Sequence, residues 1–404
     1  MAKARVLVVD DSAVARRLVS EALCTDEFIE VAGTASNGRL ALQQLFQFKP
    51  QVDVVTLDVE MPEMDGLQTL VELRRYWPHL PVIMFSAITE RGAAATLEAI
   101  ARGANDYVCK PTSAESLGEA RRRVALDLCP RVRAFAAAQL ARTQPPASVA
   151  PRPPERAQEA PSAQTAPAPL RTLTARSTPA PARLQRVETP PAVSRLRPFA
   201  RAPRPEVVLI GVSTGGPNAL STLIPALPAD FPLPILVTQH MPPVFTRLLA
   251  DRLDAVSQLE VRECQGDEQL RPGTVYLAKG DHHLKVRGSR TDPRLHLDQA
   301  SPENSCRPAV DAMFRSAVEL WGGAAIAVIL TGMGQDGLKG CQLLRDAGGL
   351  IIAQDQASSV IWGMPGALVR AGLADRVLPL GQIAAELIAL AGAVNGPAAR
   401  RISP

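Results

Sequence analysis

Two groups of residues in this 404-residue chain have the types and spacing to do chemistry. The first is Asp10, Asp11, Asp58, Ser86 and Lys110. Three carboxylates drawn together repel one another unless a cation neutralises them. A hard divalent ion, Mg²⁺, suits such a set of oxygen donors. With Asp10 and Asp11 holding the ion, Asp58 can attack a phosphoryl group, Lys110 can pair with the phosphoryl oxygens and Ser86 can hydrogen-bond the product. The second group is Ser213, His240 and Asp336. Ser213 lies in Gly211-Val212-Ser213-Thr214-Gly215-Gly216-Pro217, where glycines flank a serine and a proline can open a helix. The run satisfies G-x-S-x-G, a nucleophile presented on a tight turn. His240 can take the hydroxyl proton, Asp336 can orient the imidazole, and loop amides near Met333 can bind an oxyanion. A phosphate-cradling loop is the competing chemistry, but the Walker lysine is missing and the glycines do not fit G-x-G-x-x-G. A purely structural Gly-rich turn stays open on the motif alone.

Both groups need a scaffold that gathers distant residues at one edge. In the N-terminal part the runs RVLVV (5–9), VDVVTL (52–57), PVIMF (81–85) and NDYV (105–108) alternate with helical patterns, which predicts a doubly wound parallel sheet of the flavodoxin-like kind. Ligands bind such sheets beyond the carboxyl ends of the strands, where Asp10, Asp11, Asp58, Ser86 and Lys110 all fall. In the C-terminal part EVVLIGV from Glu206, PILVTQH from Pro234, AAIAVILTG from Ala324 and GLIIAQD from Gly349 predict a second, mainly parallel α/β domain. Between Leu259 and His296 the runs VREC, TVYLA and RLHL are split by turns, which predicts an antiparallel hairpin insertion. Ser213, His240 and the Gly-rich loop carrying Asp336 then share one sheet edge. His282 and His283 read as structural or rim residues, His79 and His296 as surface positions.

Thirty-six prolines against 27 glycines point to a segment that cannot fold. It lies between Gln144 and Pro205, with 15 prolines, ten arginines and three acids. Its net charge of +7 exceeds the +4 of the whole chain, leaving about −3 for the rest. The basic balance therefore belongs to a linker and implies no nucleic-acid-binding face. The expected domains are 1–128, a linker over 129–205, a catalytic domain over 206–395 and a tail over 396–404. The six cysteines form no C-x-x-C pair and no metal-like cluster with the five histidines, which fits a reducing cytoplasm. No basic-then-apolar leader and no run of 18 apolar residues is present, so a soluble cytoplasmic chain without membrane insertion is expected, with a monomer as the default state.

DDS at Asp10, LDVEMPEMDG over 57–66 and YVCKP over 107–111 resemble the receiver domain of two-component response regulators. That resemblance implies phosphorylation of Asp58 by a histidine kinase. It also implies Mg²⁺ on Asp11, Asp58 and the Glu60 carbonyl with Asp10 assisting, an aromatic switch at Tyr107 and a cis peptide at Lys110-Pro111. GVSTGGP, TQHMPPVFT, CRPAVDAMFRSA, ILTGMGQDG and IAQDQASSVIWGMPGAL resemble, in order, the catalytic domain of the chemotaxis protein-glutamate methylesterase (CheB) family. By that resemblance Ser213 is the nucleophile, His240 the general base, Asp336 its orienting carboxylate, and the Met333 N–H part of the oxyanion hole, with no cofactor for the esterase. The implied substrates are glutamate γ-methyl esters on chemoreceptors, and glutamine side chains at the same positions. The implied phosphodonor is the chemotaxis kinase CheA, and the unphosphorylated receiver is expected to cover the cleft. Gly366, where members often carry a basic residue, and Lys279, in place of a frequent proline, depart from the family pattern at the cleft rim. A flexible tether of about 60 residues spans roughly 40 Å and still permits docking, with weaker autoinhibition than a short linker gives. The competing readings are a non-catalytic signalling scaffold and a small-molecule esterase whose Asp and His follow Ser213 in the usual α/β-hydrolase order.

Overall fold

The computed structural model describes residues 3–47, 52–111, 115–143 and 203–392. In the N-terminal domain β1 (Ala4–Val9), β2 (Ile29–Ala35), β3 (Val54–Asp58), β4 (Val82–Ser86) and β5 (Asp106–Cys109) pair in parallel in the order β2-β1-β3-β4-β5. They are joined by α1 (Ala13–Leu23), α2 (Gly38–Gln47), α3 (Gly66–Tyr76), α4 (Glu90–Ala101) and α5 (Leu117–Thr143). Every residue of β3 and β4 is buried, because helices cover both faces of the sheet. The strand order reverses beside β1, so the crevice of the sheet opens at the carboxyl ends of β1 and β3. Side-chain caps fix where helices leave that edge: Ser12 accepts from the Ala15 amide, Asp65 forms a capping box with Gln68, and Thr89 caps α4.

The helix α5 runs past residue 128 to Thr143, so 129–143 is helix where a linker was expected. The reason lies in the apolar spacing: Val124, Leu128, Val132 and Phe135 recur at helical intervals, and all are at most 3 % exposed. The helix continues through Pro130. Most of the expected linker, 144–202, and the expected tail lie outside the described residues. The peptide before Pro111 is not cis; the cis X-Pro bond among the described residues is Arg307-Pro308. Trans is the default for X-Pro bonds wherever nothing in the surroundings requires cis.

In the C-terminal domain β6 (Val207–Val212), β7 (Ile235–Gln239), β8 (Glu260–Glu263), β9 (Thr274–Leu277), β12 (Ala325–Ile329), β13 (Leu350–Gln354) and β14 (Arg376–Leu378) form one sheet. Its order is β14-β13-β12-β6-β7-β9-β8, and every pairing is parallel. The antiparallel hairpin is β10 (His283–Ser289) with β11 (Asp292–Asp298). VREC and TVYL, which the turn spacing placed in that insertion, pair with the main sheet instead. β9 is buried at every position, which suits a strand covered on both faces. Helices α6 (Gly216–Leu223), α7 (Phe245–Asp254), α8 (Val310–Trp321), α9 (Leu338–Asp346), α10 (Met364–Arg370) and α11 (Leu380–Gly392) flank the sheet.

The two domains pack through α4 and β5 of the first and α6 and α7 of the second. Asn218 donates to the Ile100 carbonyl at 3.1 Å, Arg252 to the Leu97 carbonyl at 3.1 Å, and Arg247 pairs with Glu90. The Tyr107 ring stacks on Phe245 with centroids 4.7 Å apart and planes 7° from parallel.

If α5 beyond residue 128 is part of the receiver core, Phe135→Ala removes a buried ring from it. The expected loss is about 3 kcal/mol of receiver stability in chemical denaturation, while a change within ±0.5 kcal/mol would mean that this stretch is dispensable.

Candidate active site

Ser213 follows the last residue of β6, and the chain turns there into α6. Gly215 adopts φ +79°, where a side chain is strained and a Cβ would meet Val360 at 2.7 Å. Pro217 occupies the first turn of α6, where its missing N–H costs nothing. The loop after β12 lies directly on this turn. The Ser213 N–H donates to the Thr331 carbonyl at 3.1 Å, and a Cβ on Gly332 would sit 2.8 Å from the Ser213 Cβ. From the other side the Gln239 amide donates to the Ser213 carbonyl at 3.0 Å. Among the described residues the Met333 N–H has no hydrogen-bond partner, which leaves it available to an incoming oxygen.

His240 follows β7 by one residue. Val212 and Gln239 are register partners on β6 and β7, and the His240 N–H donates to the Val212 carbonyl at 3.2 Å. Ser213 and His240 are therefore neighbours at adjacent strand ends. The imidazole Nε2 lies 2.8 Å from Asp336 Oδ2, and its Nδ1 faces Cys306 Sγ at 3.5 Å. No direct hydrogen bond joins Ser213 Oγ to the ring among the described residues; such contacts often close only around substrate.

Asp336 is 3 % exposed and collects donors on both oxygens. Oδ2 accepts from the Val310 N–H at 2.7 Å as well as facing His240. Oδ1 accepts from the Asp311 N–H at 3.1 Å, the Gly337 N–H at 3.0 Å and the Asn304 amide at 2.8 Å. Val310 and Asp311 open α8, so the carboxylate uses N–H groups that a helix start leaves unpaired. Burial penalises the Asp336 charge, but His240 and these amides outweigh it and hold the carboxyl below its usual range. Burial likewise disfavours the imidazolium, yet the Asp336 hydrogen bond, with Cys306 beside it, carries the His240 pKa upward.

At the N-terminal domain's sheet edge, Lys110 Nζ bridges Asp10 Oδ2 at 2.9 Å and Asp58 Oδ2 at 2.8 Å. Asp10, Asp11 and Asp58 offer oxygens all within 4.8 Å of one another. That hard-oxygen set fits Mg²⁺. Burial pushes the Asp58 carboxyl up, Lys110 pulls it back and Asp10 adds to the rise, leaving it at about 6. A divalent ion would reverse that shift. Asp11, Asp58, Glu60 and Lys110 line a cleft of about 920 Å³ that also includes Thr89 and Arg91. Ser86 is buried on the same edge, but its hydroxyl donates to the Gly92 carbonyl at 3.1 Å. Arg91 reaches Glu60 at 3.1 Å.

The fold also supplies neighbours that spacing alone did not reveal. Cys306 lies on His240, and Asn304 and Asp311 stand behind Asp336. Thr214, next to Ser213, donates to Asp106 Oδ2 of the N-terminal domain at 2.9 Å, and that carboxylate also pairs with Arg131 at 2.9 Å. Met333 and Val360 pack with Ile361 against the cluster that holds Phe135 and Val132. The N-terminal domain thus packs against residues flanking Ser213 and the Gly332 loop. His283 is fully buried between the Ser301 carbonyl and the Ala309 N–H, a structural placement.

Comparison with known proteins follows this division. A CheB methylesterase family model matches residues 208–387, and a response regulator receiver domain model matches residues 6–122. A protein-glutamate methylesterase/protein-glutamine glutaminase of Nocardioides sp. is 46 % identical over 384 residues, covering 95 % of this chain and 94 % of its own. One of the same name from Trichodesmium erythraeum is 42 % identical over 388 residues, covering 96 % of this chain and 99 % of its own. Among solved structures, the Thermotoga maritima CheB methylesterase catalytic domain is 46 % identical, with a TM-score of 0.45, over 46 % of this chain and 98 % of that one.

Because the Asp336 pair raises the His240 pKa, a reaction that needs the free imidazole is off at low pH and turns on as pH rises. The midpoint of the acidic limb of kcat/KM is expected above the ordinary imidazole value of about 6.5. Asp336→Asn lowers that midpoint along with kcat, and a pH–rate profile checks both.

Proposed function

The chain belongs to the CheB methylesterase family, and from that premise we propose that Ser213, His240 and Asp336 hydrolyse glutamate γ-methyl esters on chemoreceptors under the control of Asp58 phosphorylation. The observation that carries the reading is the 2.8 Å contact between His240 and Asp336 at the strand end adjacent to Ser213. Ser213 Oγ attacks the ester carbonyl as its proton passes to His240 Nδ1, the ring nitrogen turned away from Asp336, which Cys306 Sγ gives up. The carbonyl oxygen becomes an oxyanion within reach of the Met333 N–H. On collapse the methoxy group leaves with the proton held by His240, as methanol. A water molecule, deprotonated by the same imidazole, then attacks the acyl-serine carbonyl, and glutamate leaves as Ser213 recovers its proton. With a glutamine side chain the leaving group is ammonia, so the same residues serve as a glutaminase. Asp336 stays ionised throughout and stabilises the imidazolium.

The control site is Asp58, which accepts a phosphoryl group from the chemotaxis kinase CheA. Asp10, Asp11, Asp58 and the Glu60 carbonyl would hold Mg²⁺, which neutralises charge on the phosphoryl oxygens when bound. Lys110 pairs with those oxygens, and Ser86 turns from the Gly92 carbonyl toward the new group. β5 links the two sites, since it ends beside Lys110 and carries Asp106 and Tyr107 into the domain contact. Pulling Lys110 onto a phosphoryl group shifts the strand whose side chains hold Thr214 and Phe245. The closed contact over Ser213 then loses its fit and the cleft opens. Among the described residues no helix is long and apolar enough to cross a membrane. A cytoplasmic monomer acting on the receptors' cytoplasmic helices fits this chemistry.

Methanol release from methylated receptor cytoplasmic fragments tests the reading. Wild-type release is expected to rise with a small phosphodonor and Mg²⁺, Ser213→Ala to lower it by about 10³-fold or more, and Asp58→Asn to abolish only the stimulation. Release that survives Ser213→Ala would overturn the mechanism. Arg247→Glu, which sets like charges against Glu90 at the domain contact, is expected to raise the unstimulated rate about two- to five-fold and leave the stimulated rate unchanged.

A further inference from the structure

We infer that the turn Glu303–Cys306 positions the His240–Asp336 pair, and that Asn304 is its point of action, an amide that ties the Asp336 carboxylate to a second buried carboxylate, Asp311. The inference rests on the reading of Asp336 as the orienting carboxylate of the esterase.

One amide group spans the two acids. Asn304 Nδ2 lies 2.8 Å from Asp336 Oδ1 and 3.0 Å from Asp311 Oδ2. Both carboxylates are buried, at 3 % and 2 % exposure. The other Asp311 oxygen accepts from the Gly340 N–H at 2.8 Å, so Asp311 is fixed between α8 and α9. Of the donors to Asp336, those from Val310, Asp311 and Gly337 are backbone groups set by the course of the chain. Besides His240, Asn304 is the one side chain that donates to it among the described residues. Its bond holds Oδ1 and so fixes the carboxylate torsion that aims Oδ2 at the imidazole.

The turn itself is built to hold that amide in place. Glu303 and Cys306 exchange backbone hydrogen bonds of 3.1 and 2.8 Å. Asn304 and Ser305 adopt consecutive positive φ values of 52° and 62°. Asn tolerates that conformation better than most residues, and two such positions in a row persist only where the surroundings dictate them. Arg315 on α8 supplies the anchor, gripping Glu303 through contacts of 2.6 and 3.2 Å. At the far end Cys306 lies against His240 Nδ1. The turn therefore touches both members of the pair, the carboxylate through Asn304 and the ring through Cys306.

The titratable and charged groups around the pair come from every element packed on it: Cys306 and Glu303 from the turn, Asp311 and Arg315 from α8, Cys341 from α9 and His283 from β10. Asn304 is the neutral donor among them. Removing it leaves the Asp336 carboxylate with one donor fewer, so it holds the imidazolium proton more tightly and the ring loses its proton at higher pH.

The test uses the full chain with phosphodonor and Mg²⁺, measuring methanol release across pH. Asn304→Gly keeps the backbone unstrained and removes the amide. It is expected to lower kcat about ten-fold, to leave KM within about two-fold, and to move the acidic midpoint of kcat/KM upward by about half a unit. Asn304→Ser, a small polar residue that falls short of Asp336, is expected to do the same, and thermal melts confirm that each variant folds. Added to Asp336→Asn, the change Asn304→Gly should have no further effect on the residual rate, because two residues acting as a unit are not additive. If kcat and the pH midpoint of both variants match wild type while Asp336→Asn is impaired, the positioning role is wrong and the triad stands. If Asp336→Asn itself is unimpaired, the triad reading fails first.

Discussion

The catalytic half of the molecule is organised around one electrostatic problem, a carboxylate taken out of water. Asp336 is 3 % exposed, and an ionised carboxylate at that depth survives only if donors replace its hydration shell. Two of them are the first amides of α8, which fixes where that helix must begin. A third is its own following residue, Gly337, which takes φ +89° to bring its N–H round. The remaining places go to Asn304 and His240. Solving the problem in this way ties the start of α8, the loop after β12 and the end of β7 to a single point. The Gly332 loop follows, because the chain that delivers Asp336 must first cross the Ser213 turn at a distance that only glycine allows.

The N-terminal half poses the complementary problem, too much negative charge at one edge. Lys110 spans Asp10 and Asp58 and answers it in the absence of a phosphoryl group. That makes Lys110 the group whose partners would change under the proposed modification of Asp58. It lies at the end of the strand that also bears Asp106 and Tyr107. The Lys110 end of β5 thus lies within a few residues of side chains that touch Thr214 and Phe245. The path is short because the domain contact uses the strand whose end carries Lys110, the partner of Asp58.

The parts of this arrangement that could be read from the sequence are those encoded locally. Residues at strand ends are marked by the strand before them, so Asp10, Asp58, Lys110, Ser213 and His240 fall where β1, β3, β5, β6 and β7 stop. Asp336 is marked by its glycines. The parts that could not be read depend on where separate segments meet. Asn304 and Cys306 lie in a loop without periodicity, and nothing in ENSCRP announces that its turn folds onto a histidine more than sixty positions earlier. The reach of α5 was misjudged for a different reason. The composition shift after 128 suggests a linker, but the apolar stripe through Val132 and Phe135 gains enough by burial to carry the helix on through Pro130. VREC and TVYL were assigned to the hairpin on turn spacing, which does not distinguish a hairpin from a parallel edge that crosses back.

The balance between the two halves follows from the kind of contact they make. Burial of Tyr107 against Phe245 gives the interface its apolar centre, and around it lie the bonds of Thr214 to Asp106, Asn218 to Ile100 and Arg252 to Leu97 and the ion pairs of Arg247 with Glu90 and Arg252 with Glu98. Interfaces of this kind between domains of one chain hold by modest margins. A margin of a few kcal/mol is what a change of partners at Lys110 can overturn. A larger apolar contact would hold the cleft shut against phosphorylation, and a smaller one would leave Ser213 open at rest. On the proposed control by Asp58, the stacked aromatic pair with its rim of hydrogen bonds and ion pairs has to lie between those limits.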